Sequence, residues 1–219
     1  MPRPNVPLTA TDITVDQGVD RVLDAVGFTL TPGSFTAVTG PSGAGKSTFL
    51  WVLVGALTPS RGSVTYAGGP LSGLGAVARA GVVLVPQGLA LVASLTAREN
   101  IVVPLLVDGV PTREAHERAD QVLEQVLLAD VGTHLVEELS GGQQQRVAVG
   151  RGLAMRAGVL LVDEPTSELD AVTRDLVLGL LAAEAADGAV VVLATHDPWC
   201  ADQADAEYHL DGGRLSRAR

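Results

Sequence analysis

The chain has 219 residues, 47% of them hydrophobic, a formal net charge of −10 and one cysteine. That length and apolar content suit one or two domains with a sizeable core, and the acidic balance argues against a general nucleic-acid-binding surface, so no nucleic-acid partner is expected. The lone Cys200 excludes an internal disulfide and fits a reducing compartment as an incidental packed residue, and the longest fully apolar run, residues 49–57, is far below the roughly 18–20 residues that span a bilayer. Met1 to Asn5 lead into no apolar stretch of the secretion type, so a cytoplasmic protein is expected.

In chain order, residues 35–39 read as a short buried strand. The segment Gly40-Pro41-Ser42-Gly43-Ala44-Gly45-Lys46-Ser47-Thr48 follows, and it matches the phosphate-binding pattern G-x-x-x-x-G-K-[ST] at every fixed position. A helix then runs onward from Lys46, with Phe49, Leu50, Leu53 and Val54 apolar. Gly40, Gly43 and Gly45 let the backbone curl so that N–H groups point at phosphate oxygens, and the helix start adds partial positive charge. Lys46 is the only lysine, the other fourteen of the 15 basic residues being arginine. A compact ammonium fits a tight loop around a triphosphate where a planar guanidinium does not. Lys46 is therefore expected on the β- and γ-phosphates and the Ser47 hydroxyl on magnesium.

Further along, residues 82–85, 159–162 and 190–193 are short, β-branched and non-alternating, as in strands buried on both faces of a mainly parallel sheet. Helical patterns at 113–128, 143–156 and 172–186 alternate with them, which predicts an α/β domain. Residues 88–150 read as mostly helical, an inserted helical lobe. The strand at 159–162 ends in Asp163, Glu164 and Pro165. Ligands of such sheets bind beyond the carboxyl ends of the strands, so Asp163 is expected to hold magnesium and Glu164 to polarise an attacking water.

Leu139-Ser140-Gly141-Gly142-Gln143, followed by Gln144-Gln145-Arg146-Val147, narrows the reading. Ser140 and the amides of Gly141 and Gly142 open a helix that runs from Gln143, and such an end can donate to a γ-phosphate. With this segment between a phosphate loop and an Asp163-Glu164-Pro165 strand, the chain resembles the ATP-binding cassette (ABC) ATPases over nearly its whole length. The resemblance implies one cassette over 1–219: a P-loop core of the α/β class (1–87 and 151–219) with a mainly parallel sheet, an N-terminal antiparallel β portion and an inserted α-helical subdomain (88–150). It implies ATP and Mg2+ as ligands. It also implies a head-to-tail homodimer, or pairing with a related cassette, in which Ser140, Gly141, Gly142 and Gln143 close over the partner's ATP. Gln87 matches the glutamine that contacts magnesium and water and reports to a membrane partner. Asp170, in Ser167-Glu168-Leu169-Asp170, matches the dimer-contact position. His196, in Thr195-His196-Asp197, matches the histidine that contacts the γ-phosphate and positions water with Glu164.

Within the family the chain looks most like the ATPase subunits of lipoprotein-releasing and macrolide-export transporters. That resemblance rests on Val85-Pro86-Gln87, on Leu95-Thr96-Ala97-Arg98-Glu99-Asn100 with Val103-Pro104-Leu105, and on the Gln-Gln-Gln-Arg run. It implies a separate transmembrane permease, docked near residues 88–106, and a peripheral place on the inner face of the cell membrane. The alternative is a non-transporting ABC ATPase coupling hydrolysis to a membrane mechanotransmission partner. A GTPase would need an Asn-Lys-x-Asp motif, which the single lysine precludes; a small-molecule kinase gives no reason for residues 139–143. A binding module without turnover is at odds with Glu164 and His196. One position departs from the family: where an aromatic residue usually stacks on adenine, this chain has Gln17. Losing a stack of ~1–3 kcal/mol predicts weak base selectivity, checked by comparing ATP and GTP hydrolysis. Similar rates are expected; a strict preference for ATP would contradict it.

Overall fold

The computed structural model describes residues 5–73 and 80–219. Residues 1–4, part of the segment read above as lacking a secretion signal, lie outside the described residues. Among those described, no helix is long and apolar enough to cross a membrane. The strands are β1 (Leu8–Gln17), β2 (Asp20–Leu30), β3 (Phe35–Thr39), β4 (Arg61–Tyr66), β5 (Gly69–Pro70), β6 (Val82–Val85), β7 (Val159–Asp163), β8 (Val190–Ala194), β9 (Ala206–Asp211) and β10 (Arg214–Arg217). The helices are α1 (Lys46–Leu53), α2 (Ala97–Val107), α3 (Thr112–Gln125), α4 (Gly141–Ala154), α5 (Ala171–Ala186) and α6 (Pro198–Asp202). They form two compact units, one holding the residues up to Leu84 with Ala157–Glu164 and Leu181–Arg219, the other Val85–Arg156 with Pro165–Leu180.

The first unit is built on a six-stranded sheet of order β10-β9-β3-β8-β7-β6 and an antiparallel sheet of order β2-β1-β4-β5. Strands β3, β7 and β8 are buried at every residue, which is why β8, and β7 up to Asp163, read as continuous apolar runs rather than alternating ones. They pair in parallel, with Val38 and Asp163 both level with Ala194. Three strands thus end on one line, and the loops that leave them emerge side by side. Strand β8 runs one residue past its predicted apolar run, and Asp163 closes β7. Phe28 joins the layers of the core: its ring lies 5.1 Å from Phe49 on α1 and 5.6 Å, edge-on, from Tyr208 on β9. The C-terminal hairpin of β9 and β10 and the short α6 carry no strong sequence signal and were not expected.

In the second unit α2, α3 and α4 pack around Ile101, Leu105, Ala119, Leu123 and Val147. Gly150 lets α4 approach α3 closely, for a Cβ there would meet Val122 Cγ1 at 2.8 Å. Helix α3 stops at Gln125, short of the predicted 128, because Leu127 turns left-handed (φ 57°) and Arg146 Nη1 takes the freed carbonyls of Val126 (2.6 Å) and Leu127 (3.1 Å). The start of α2 is doubly fixed. Thr96 and Glu99 form a reciprocal capping box. Buried Asn100 accepts from Val92 N (2.8 Å) and donates to Val92 O and Thr96 O (3.0 Å each). Asn100→Ala removes those partners and strands Val92 N–H, so a loss of about 2–3 kcal/mol in urea denaturation is expected; a loss below ~0.5 kcal/mol, within the range of ordinary surface changes, would contradict it.

Candidate functional site

The phosphate loop leaves β3 and enters α1. Its Gly40 (φ 149°), Gly43 (φ 81°) and Gly45 (φ 98°) all take positive φ, and at Gly40 a Cβ would sit 2.1 Å from Leu210 O. Glycine there is a steric requirement. Lys46 is buried, and its Nζ donates to Gly40 O (2.7 Å) and Pro41 O (3.1 Å). The one ammonium of the chain is thus held inside the curl of its own loop. Pro41, Ser42 and Gly43 face solvent, while Ala44, Ser47 and Thr48 are half-buried. The Ser47 hydroxyl bonds to the Asp163 carboxyl at the end of β7.

Burial pushes the Asp163 carboxyl above the ordinary carboxylate range and the neighbouring Glu164 charge adds to this, while the Ser47 hydrogen bond and the Lys46 charge pull it back. Asp163 Oδ1 is buried and has no hydrogen-bond partner among the described residues. A buried acceptor without a donor is costly, and a hard divalent cation is the partner that would satisfy it beside a hydroxyl oxygen. Among the described residues no three His, Cys, Asp or Glu side chains gather as a metal cage. Two protein oxygens with water and phosphate completing the shell is the arrangement magnesium favours.

Glu164 is buried and left-handed (φ 47°) although it precedes a proline, which steers the preceding residue toward extended backbone. Such a conformation costs about 1–3 kcal/mol. Its N–H donates to Ala194 O (2.9 Å), Thr195 Oγ1 donates to its Oε2 (3.2 Å), and His196 Nδ1 lies 2.8 Å from its Oε1. An ionised carboxylate only accepts, so Nδ1 carries the proton and Nε2 is left for another partner. The histidine side chain is 67% exposed against 9% for the glutamate. The dyad therefore has a fixed inner member and an outer one facing solvent.

Gln87, Ser140 to Gln143 and Asp170 belong to the second unit. Gln87 is exposed in a turn after β6. Helix α4 starts at Gly141, two residues earlier than the periodicity of 143–156 suggests, because Ser140 Oγ caps Gln143 N (3.3 Å) and Gln143 Oε1 accepts from Ser140 N (2.9 Å). Gly142 lies against the backbone of Glu168, where a Cβ would come within 2.8 Å of Glu168 O. Asp170 caps α5 by accepting from Thr173 N (2.8 Å), which holds its carboxyl below the ordinary range.

Three residues of these surroundings carry no signal strong enough to find from sequence. Thr195, fully buried, holds both Glu164 and Asp197 N (3.1 Å). Gln145 Oε1 accepts from Ser167 Oγ (3.3 Å) and Glu168 N (3.2 Å). Thr39 Oγ1 donates to Glu207 (2.7 Å) beside His209 (3.1 Å), on a strand that sequence reading did not detect. Gln17 is exposed at the end of β1, and Val19 at the hairpin tip is fully exposed.

Residues 23–167 match the family model described as ABC transporter. The chain is 42% identical over 203 residues to the lipoprotein-releasing system ATP-binding protein LolD of Pseudomonas fluorescens, covering 89% of this chain and 88% of that one. It is 38% identical over 218 residues to an uncharacterised ABC transporter ATP-binding protein of Mycobacterium tuberculosis, covering 95% of this chain but spanning only 66% of that relative's length. Its fold superposes with a TM-score of 0.88, at 30% identity and over 97% of this chain and 99% of the other, on a dimeric ATP-binding cassette in a post-hydrolysis state with ADP and Pi. The strand-end site, the phosphate loop and these likenesses agree: the chain belongs to the ABC transporter family and is an ATP-binding, ATP-hydrolysing cassette of the α/β P-loop class.

Proposed function

We propose that this cassette binds ATP with magnesium, pairs with a second copy or a related cassette, and drives a separate membrane permease in export or lipoprotein handling. The observation that carries the hydrolytic part is Glu164, strained, buried and gripped by Thr195 and His196 at the end of the same strand as the orphaned Asp163 oxygen. Ser47 and Asp163 would hold Mg2+, which when bound neutralises developing phosphate charge. The lysine would exchange the Gly40 and Pro41 carbonyls for β- and γ-phosphate oxygens, aided by the N–H groups of residues 40–48. Glu164 accepts a proton from the attacking water, and His196 orients that water and the γ-phosphate through Nε2. Gln87, Asp170 and Ser140 to Gln143 take the roles that the family resemblance implies, the last four toward the nucleotide of the paired copy.

The two units would serve as nucleotide-binding core and helical lobe. Likeness to LolD supports lipoprotein release as the task, and a place on the inner face of the membrane goes with the proposed permease. The helical lobe offers a surface suited to a permease helix: Val103, Leu106 and Val107 lie one helical turn apart on α2 and stand 44%, 40% and 84% exposed, with Val92 at 50%.

Glu164→Gln keeps the shape and removes the base. Turnover is expected to fall at least about 100-fold, with ATP binding kept and an ATP-bound dimer accumulating in size-exclusion chromatography; a normal hydrolysis rate would remove Glu164 from the base role. Lys46→Ala deletes the charge-assisted contacts to phosphate, so ATP affinity by calorimetry should drop about 10- to 100-fold. Unchanged affinity would refute the lysine's role.

A further inference from the structure

The turn that carries Gln87 is held in an unfavourable shape by one side chain. After β6 the chain makes a tight reversal in which Leu89 N–H donates to Pro86 O (3.0 Å) and Ala90 N–H to Gly88 O (2.6 Å). Leu89 (φ 57°) and Ala90 (φ 50°) are both left-handed. L-residues with a Cβ visit that region as isolated residues, rarely as neighbours. Nothing in the turn's own sequence favours it, since neither position is Gly, Asn or Asp.

Arg151, about three turns along α4 from the Ser140 end, reaches this reversal. Its Nη1 donates to Ala90 O and its Nη2 to Leu89 O, each at 2.6 Å. One planar fork therefore binds the two carbonyls whose residues are strained. The guanidinium is partly buried, and among the described residues no carboxylate perturbs it; burial alone draws its pKa below the ordinary arginine value. A charge desolvated without a counter-ion is retained only where its hydrogen bonds return the cost, and here those bonds go to the strained pair.

We infer that Arg151 is a positioning residue for the hydrolytic reaction: its fork locks Leu89 and Ala90 left-handed, sets the direction of Gln87 two residues before them, and makes the helix led by Ser140 and the Gln87 turn move as one body. A lysine cannot substitute, because an ammonium is a point donor and does not span two carbonyls at fixed spacing. This inference rests on the reading that Gln87 acts in hydrolysis.

The test uses the full chain and two independent readouts. Hydrogen exchange followed by mass spectrometry reads the turn itself. In Arg151→Lys and Arg151→Gln, peptides covering residues 86–91 should lose protection about ten-fold, with the rest of the chain unchanged. Steady-state kinetics read the consequence: kcat should fall about ten-fold, the effect of losing one charged hydrogen bond, while KM for ATP stays within about two-fold because ground-state binding is untouched. Glycines at both strained positions need no lock, so Leu89→Gly with Ala90→Gly in the Arg151→Gln background should restore kcat to within about three-fold of the parent. Unchanged exchange in both arginine variants would overturn the lock. Lost protection with kcat unaltered, or failure of the glycine pair to rescue, would overturn its part in turnover. Gln87→Ala separates the underlying reading: an unchanged kcat there overturns the role of Gln87, whatever the exchange of residues 86–91 shows.

Discussion

The parallel register of β3, β7 and β8 is the constraint on which the first unit depends. Because Val38, Ala194 and Asp163 share one level, the phosphate loop, the acidic pair and the Thr195-His196 segment leave the sheet together. The alignment is held by burial. Each of these strands is buried along its length, and a slip of one residue would exchange the side chains of its two packed faces and separate the loops. Cross-connections then seal the line, with Thr195 N–H on Val38 O (3.1 Å) and Glu164 N–H on Ala194 O (2.9 Å). The residues at the strand ends are therefore positioned by side chains packed inside the unit.

Two kinds of stored cost sit at this edge. One is conformational: Glu164 is left-handed ahead of a proline, and the Thr195 and His196 contacts keep it so. The other is electrostatic: among the described residues Asp163 has a buried oxygen without a donor, and the only lysine in the chain is spent on its own loop's carbonyls. On the proposed function the electrostatic cost would be relieved by a magnesium-bound triphosphate, which would bring a cation to Asp163 and an anion to Lys46. The second unit shows the same economy at Leu89 and Ala90, where the strain is borne by one arginine fork.

Much of this was legible in the residues. Residues 35–39 form the predicted strand, and the glycines of the phosphate loop take the positive φ that their spacing requires. Apolar runs located β6, β7 and β8, because doubly buried strands leave a continuous signature. Helix ends were less legible: α4 begins at the Ser140 cap rather than at Gln143, and α3 ends where Arg146, 21 positions beyond Gln125, takes its last carbonyls. Both depend on side-chain geometry that periodicity does not encode. Strand β9 was missed because Ala-Glu-Tyr-His-Leu-Asp is only partly buried and polar, although it pairs with β3 and places Glu207 and His209 on Thr39. The supporting contacts of Thr195 and Gln145 were invisible for a related reason, as threonine and glutamine in a motif announce no partner.

The most direct test of the strand-end account is a crystal structure of the full chain with Mg2+ and a non-hydrolysable ATP analogue. The account predicts that Lys46 Nζ leaves Gly40 O and Pro41 O for phosphate oxygens, and that Asp163 Oδ1 gains the metal or one of its waters as a partner. A nucleotide bound with its phosphates elsewhere, Lys46 still on its own loop and Asp163 Oδ1 still unpartnered, would contradict it.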